Sequence, residues 1–141
     1  MSDAGTNPHP WHVLIGTDTG YSPLVRAALQ HRDEERLLVL FGADDTFPFR
    51  PRPSTILVPG MPAGVIASIP ALEEMGIASR LASTAGLPGC YDGTVTDLAE
   101  LWLRSLESAP ARISVTGADT TVRAVEDLGF ALGLTVTNIR T

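Results

Sequence analysis

The chain has 141 residues, of which 44% are hydrophobic and 18% charged, and it carries a formal net charge of −6 at pH 7. That length is one domain's worth, and so apolar a composition excludes an intrinsically disordered chain. None of the ten basic residues is a lysine, and with acids in excess nucleic acid is not the expected partner, because neutralising phosphates takes a clustered positive face.

Cys90 is the single cysteine, so no internal disulfide can form, and alone it cannot build a zinc or iron–sulfur site. No metal site is expected. The apolar stretches break well short of the ~20 residues a membrane helix requires. No basic, apolar, small-residue leader opens the chain, and the expected location is the cytoplasm. No internal repeat recurs at a fixed period.

Residues 1–10 are small and polar with two prolines and read as a flexible leader, leaving 11–141 as the domain. Trp11 to Gly16 (WHVLIG) is a short apolar run ending in a Thr/Asp/Gly cluster, a buried strand and its turn. Ser22 then offers an N-cap oxygen and Pro23 a first helical residue, with Leu24, Ala27, Ala28 and Leu29 as the buried face of a helix to about His31. Arg36 to Gly42 (RLLVLFG) is a second apolar run, and such runs are typical of parallel strands buried on both faces. Residues 43–54, with three prolines, form a loop.

Thr55 to Pro59 is a short strand candidate. Pro62 to about Met75 reads as a helix with Val65, Ile66, Ile69 and Leu72 on one face, kinked or split at Pro70. Ile77 to Ser83 is a strand, Thr84 to Gly93 a glycine-rich loop, and Thr94 to Leu106 an amphipathic helix. Ile113 to Val115 is a strand, Asp119 caps a helix to about Leu132, and Leu134 to Ile139 is the last strand. Five or six strands alternating with four helices predict a three-layer α/β fold, Rossmann-like, with a mostly parallel sheet.

Ligands of such sheets bind at the carboxyl ends of the strands, where the strand order reverses. The loops to inspect are therefore 16–22, 42–48, 84–93 and 116–120. The first of these, Gly16-Thr17-Asp18-Thr19-Gly20-Tyr21-Ser22-Pro23, has two glycines that let the backbone turn and approach a ligand. Phe41-Gly42-Ala43 ends the second strand, Asp92-Gly93-Thr94-Val95-Thr96-Asp97-Leu98 opens a helix, and Val115-Thr116-Gly117-Ala118-Asp119 is followed by Arg123-Ala124-Val125. In this order and spacing, over residues 11–141, the chain resembles the NAD(P)-binding domain of ferredoxin–NADP reductase-like flavoproteins. It is most similar to the electron-transfer subunits of dihydroorotate dehydrogenase and to flavin reductases.

The resemblance implies a pyridine-nucleotide-binding module of a flavin-dependent oxidoreductase, with FAD or FMN on a partner domain or subunit and no hydride transfer by this chain alone. It implies that Gly16, Thr17, Asp18, Thr19, Gly20 and Ser22 lie along the pyrophosphate. Ala43 and Asp44 would lie by the adenosine ribose, and Thr116, Gly117 and Asp119 by the nicotinamide. No catalytic residue is implied. Asp44, where the family often has a basic residue, disfavours a 2′-phosphate, so NAD is expected over NADP.

Five departures stand out. Thr17 and Asp18 replace glycines that pack on the dinucleotide, and a carboxylate there adds repulsion of order 1 kcal/mol. Thr116 replaces the family's cysteine and Ala118 its proline. The cysteine cluster that ends the electron-transfer subunits has no counterpart. The substitutions Thr17, Asp18, Thr116 and Ala118 motivate an alternative function, a docking or regulatory module that has lost nucleotide binding.

Other residues read more plainly. Cys90 lacks a nearby histidine to activate it, since His9 is in the leader, His12 in the first strand and His31 at a helix end. Asp33-Glu34-Glu35 is a solvated turn and Glu73-Glu74 a polar helix face. Phe47-Pro48-Phe49, near Arg50 and Arg52, either docks a partner or covers the sheet.

Overall fold

The computed structural model describes residues 10–106 and 111–139. The expected leader, apart from Pro10, lies outside the described residues. Strand β1 (Trp11–Thr17) runs into a 3-10 turn (Asp18–Gly20) and helix α1 (Tyr21–Gln30), then β2 (Leu37–Ala43). A long connection holds the two-residue strands β3 (Arg52–Pro53) and β4 (Ala67–Ser68) and the short helix α2 (Pro70–Glu73). After it come β5 (Ala78–Ser83), β6 (Tyr91–Asp92), α3 (Val95–Ser105), β7 (Ala111–Thr116), α4 (Asp119–Leu132) and β8 (Thr135–Asn138).

The six long-sheet strands lie in the order β6-β5-β2-β1-β7-β8, and every pairing among them is parallel. β3 and β4 form a separate antiparallel pair. The chain winds outward from β1 through β2 and β5, then crosses to β7 on the other side. The strand order therefore reverses between β1 and β7, as in a Rossmann-like sheet.

Strand alternation divides the core into two layers. On one face Val13, Ile15, Leu38, Leu40, Ile113 and Val115 meet Leu98 and Trp102 of α3 and Val125 and Leu128 of α4. On the other, Leu14, Val39, Phe41 and Leu81 meet Leu24, Ala27 and Ala28 of α1 and Leu72 of α2. Burial on both faces is why β1 and β2 are almost continuously apolar.

Several expected elements differ. Thr55–Pro59 is not a strand, because side chains rather than a neighbouring strand satisfy its backbone. Glu73 accepts the Thr55 N–H at 2.8 Å and buried Arg80 donates to the Ile56 carbonyl at 2.6 Å. The helix expected over 62–75 shrinks to Pro70–Glu73. The N–H groups of Ile66 and Ala67 bond to the Gly89 carbonyl, and that of Ile69 to Ser79 Oγ at 2.8 Å. Those bonds, with Pro70's missing N–H, leave no helical ladder before residue 70.

Helix α1 starts at Tyr21 with Gly20, not Ser22, at its cap position, and α4 is preceded by Ala118, so Asp119 is its first residue rather than its cap. The loop 84–93 contains β6, which no periodicity announces. Phe47 and Phe49 stack on each other and pack around Phe41 and Tyr21, so they cover the sheet.

Candidate functional site

The carboxyl ends of β1 and β2 and the amino ends of α3 and α4 enclose a cleft of about 180 Å³. Its floor is built by close packing. Gly42 lies under α3 so tightly that a Cβ there would sit 2.8 Å from Val95 Cβ. The Thr17 hydroxyl donates to Thr121 Oγ1 at 3.1 Å and accepts the Ala118 N–H at 3.4 Å, tying β1 to the first turn of α4.

The walls are hydroxylic and acidic. Asp18 and Asp44 stand on the rim with Thr84, Thr94, Thr96 and Thr120, and among the described residues no cationic side chain lines the cleft. Thr94 caps α3 by accepting the Asp97 N–H at 3.1 Å. No side chain caps α4, so its first-turn N–H groups keep their partial positive character toward the cleft.

Of the residues implied by the resemblance, the structure brings Thr17, Asp18, Ala43 and Asp44 together here. It does not bring the others. Gly16 faces α1, where a Cβ would meet Leu24 Cδ2 at 3.0 Å. Gly20 and Gly117 press on each other, a Cβ on Gly20 lying 2.9 Å from the Gly117 backbone. That contact sets the turn after β1 against the turn after β7. Thr116 is buried, Thr19, Ser22 and Asp119 are exposed, and none of the four lines the cleft.

The turn after β1 also differs from a bare anion cradle. Asp18, not Gly20, takes the left-handed conformation, at φ 50° against −78° for Gly20. The Tyr21 N–H is spent on the Asp18 carbonyl. Burial pushes the Tyr21 hydroxyl up from its ordinary range, consistent with its ring packing on Phe41 and Phe49.

Thr84, Thr120 and Thr121 are lining residues that the sequence did not single out. A threonine in a loop or a first helical turn carries no signal of its own. Cys90 packs against the α1-side core, and burial pushes its thiol up, away from the thiolate a nucleophile needs.

The chain matches no protein-family model, and searches of curated proteins and of solved structures give no match. The likeness to ferredoxin–NADP reductase-like domains rests on the quoted motifs alone. Among the described residues no helix is long and apolar enough to cross a membrane.

Proposed function

We propose that this chain is a nucleotide-binding module that takes NAD(H) by its adenosine half. The observation that carries the reading is Asp44, directly after β2 and on the rim of the cleft. A carboxylate at the end of this strand can accept hydrogen bonds from a ribose diol and repels a 2′-phosphate. The uncapped start of α4 and the threonine hydroxyls supply donors for a neighbouring phosphate.

A cleft of about 180 Å³ is smaller than the ~300–1,000 Å³ of sites that engulf a ligand. It suits one ribose-phosphate unit, with the rest of the dinucleotide lying outside. An outward-lying nicotinamide is accessible to a flavin on another domain or subunit, and electron passage to that flavin is the oxidoreductase role the motifs suggest. The cofactors would carry that chemistry and the protein would position them.

The Gly20–Gly117 contact and the two carboxylates of Asp18 and Asp44 on the rim favour the second reading, a docking module without nucleotide affinity. Calorimetry with NADH, NADPH and ADP-ribose separates the two. Nucleotide binding predicts that NADH and ADP-ribose bind, that NADPH binds more weakly, and that Asp44→Ala costs NADH roughly tenfold through about 1.5 kcal/mol of lost hydrogen bonding. Absence of binding by all three at several-millimolar concentrations supports the docking module.

A further inference from the structure

We propose that His12, His31 and Glu34 form a three-ligand site for a divalent transition-metal ion of the Zn²⁺ type, at the end of the sheet opposite the cleft. The three residues come from separate places, the start of β1, the end of α1 and the turn before β2, and their donor atoms all lie within 4.8 Å of one another. Glu34 sits between the rings, with Oε1 3.2 Å from His12 Nδ1 and Oε2 2.6 Å from His31 Nδ1. Zinc–nitrogen and zinc–oxygen bonds of ~2.0–2.2 Å in a tetrahedron place donors roughly 3.4 Å apart. Closing a separation of up to 4.8 Å by at most about 1.4 Å brings this trio to that spacing.

Two further features suit a metal. His12 is 1% exposed, and its far nitrogen, Nε2, lies 2.8 Å from Ser114 Oγ. With the proton on Nε2 and donated to that oxygen, the Nδ1 lone pair points at Glu34. Such support of the outer ring nitrogen is what orients metal-binding imidazoles. An opening of about 400 Å³ adjoins Glu34, giving an ion its path and a water its place as fourth ligand.

Imidazole and carboxylate donors select zinc-like ions over calcium or magnesium, which prefer oxygen. The ion would staple the α1–β2 turn to the core strand. Arg112 is the competitor. Its guanidinium is half-exposed and contacts Glu34 Oε2 at 3.0 Å, so it must swing aside when an ion binds.

The experiment titrates Zn²⁺ alone into the chelator-treated full chain by calorimetry, slightly above neutral pH. The expected result is one ion per chain with micromolar or tighter affinity. Loss of a ligand in His31→Ala or Glu34→Gln should weaken it by more than the ~10–100-fold that a supporting residue costs. Arg112→Gln should tighten it, whereas His9→Ala should leave it unchanged. His31 lies at a partly exposed helix end, so that variant keeps the test alive if Glu34→Gln fails to fold, with circular dichroism as the check. Absence of binding below millimolar Zn²⁺, parent-like binding by His31→Ala, or loss of binding only in His9→Ala would overturn the proposal.

Discussion

Gly117 adopts φ 119°, and a Cβ on it would lie 2.6 Å from Thr17 Oγ1. Gly117→Ala must therefore strain the backbone and force β1 and β7 apart, costing about 2–5 kcal/mol. Gly133, at φ 71° with open space around it, should lose only about 1 kcal/mol on the same change. Urea unfolding of both variants checks the contrast, and equal losses would mean that the β1–β7 contact is not tight. Asp18, exposed at φ 50°, is the opposite case. Asp18→Gly relieves the left-handed conformation and removes a rim carboxylate, so the expectation is nearly unchanged stability with tighter binding of ADP-ribose.

Among the elements, α1 and α3 differ in how they begin. Thr94→Ala removes a bond to the Asp97 N–H and should cost about 1 kcal/mol. Ser22→Ala should cost little, because Ser22 is exposed inside the first turn and makes no cap. The Ser22-Pro23 signature pointed to the right helix but the wrong first residue, since the preceding 3-10 turn moves the start to Tyr21.

The connection from β2 to β5 was the least legible stretch. Its apolar spacing fits a helix, yet bonds to Glu73, further along the same connection, and to Arg80 of β5 hold it as an irregular loop. Desolvation raises the Glu73 carboxyl, but hydrogen bonds from Thr55 and Ser54 and the charge of Arg80 outweigh it, and the net shift is downward. A carboxyl lowered in the folded state stabilises fully above the ordinary glutamate range and loses that stabilisation as pH falls. Stability should thus decline from about pH 5 downward. Glu73→Gln should cost about 1 kcal/mol at neutral pH and flatten the decline, as thermal melts across pH will report.

At the scale of the molecule, the parallel sheet was readable because β1 and β2 are apolar on both faces, which only two covering layers explain. The edge was not. β6 is two residues whose pairing to β5 leaves no periodic trace. The candidate site was half-readable for a related reason. Thr17, Asp18, Ala43, Asp44 and Thr84 end or follow strands and so stand where the sequence directs attention, whereas Thr120 and Thr121 reach the cleft only through the packing of α4. Nor does any local pattern reveal that Gly20 and Gly117, far apart in sequence, would press on each other where a nicotinamide was expected. The central claim is that the remaining cleft receives a nucleotide ribose, and amide-resolved NMR with ADP-ribose tests it most directly. Shifts concentrated at Thr17, Ala43, Asp44, Thr94–Thr96 and Thr120–Thr121, saturating below a few millimolar and lost in Asp44→Ala, are the predicted result. An unchanged spectrum, or shifts confined to residues away from the cleft, would contradict it.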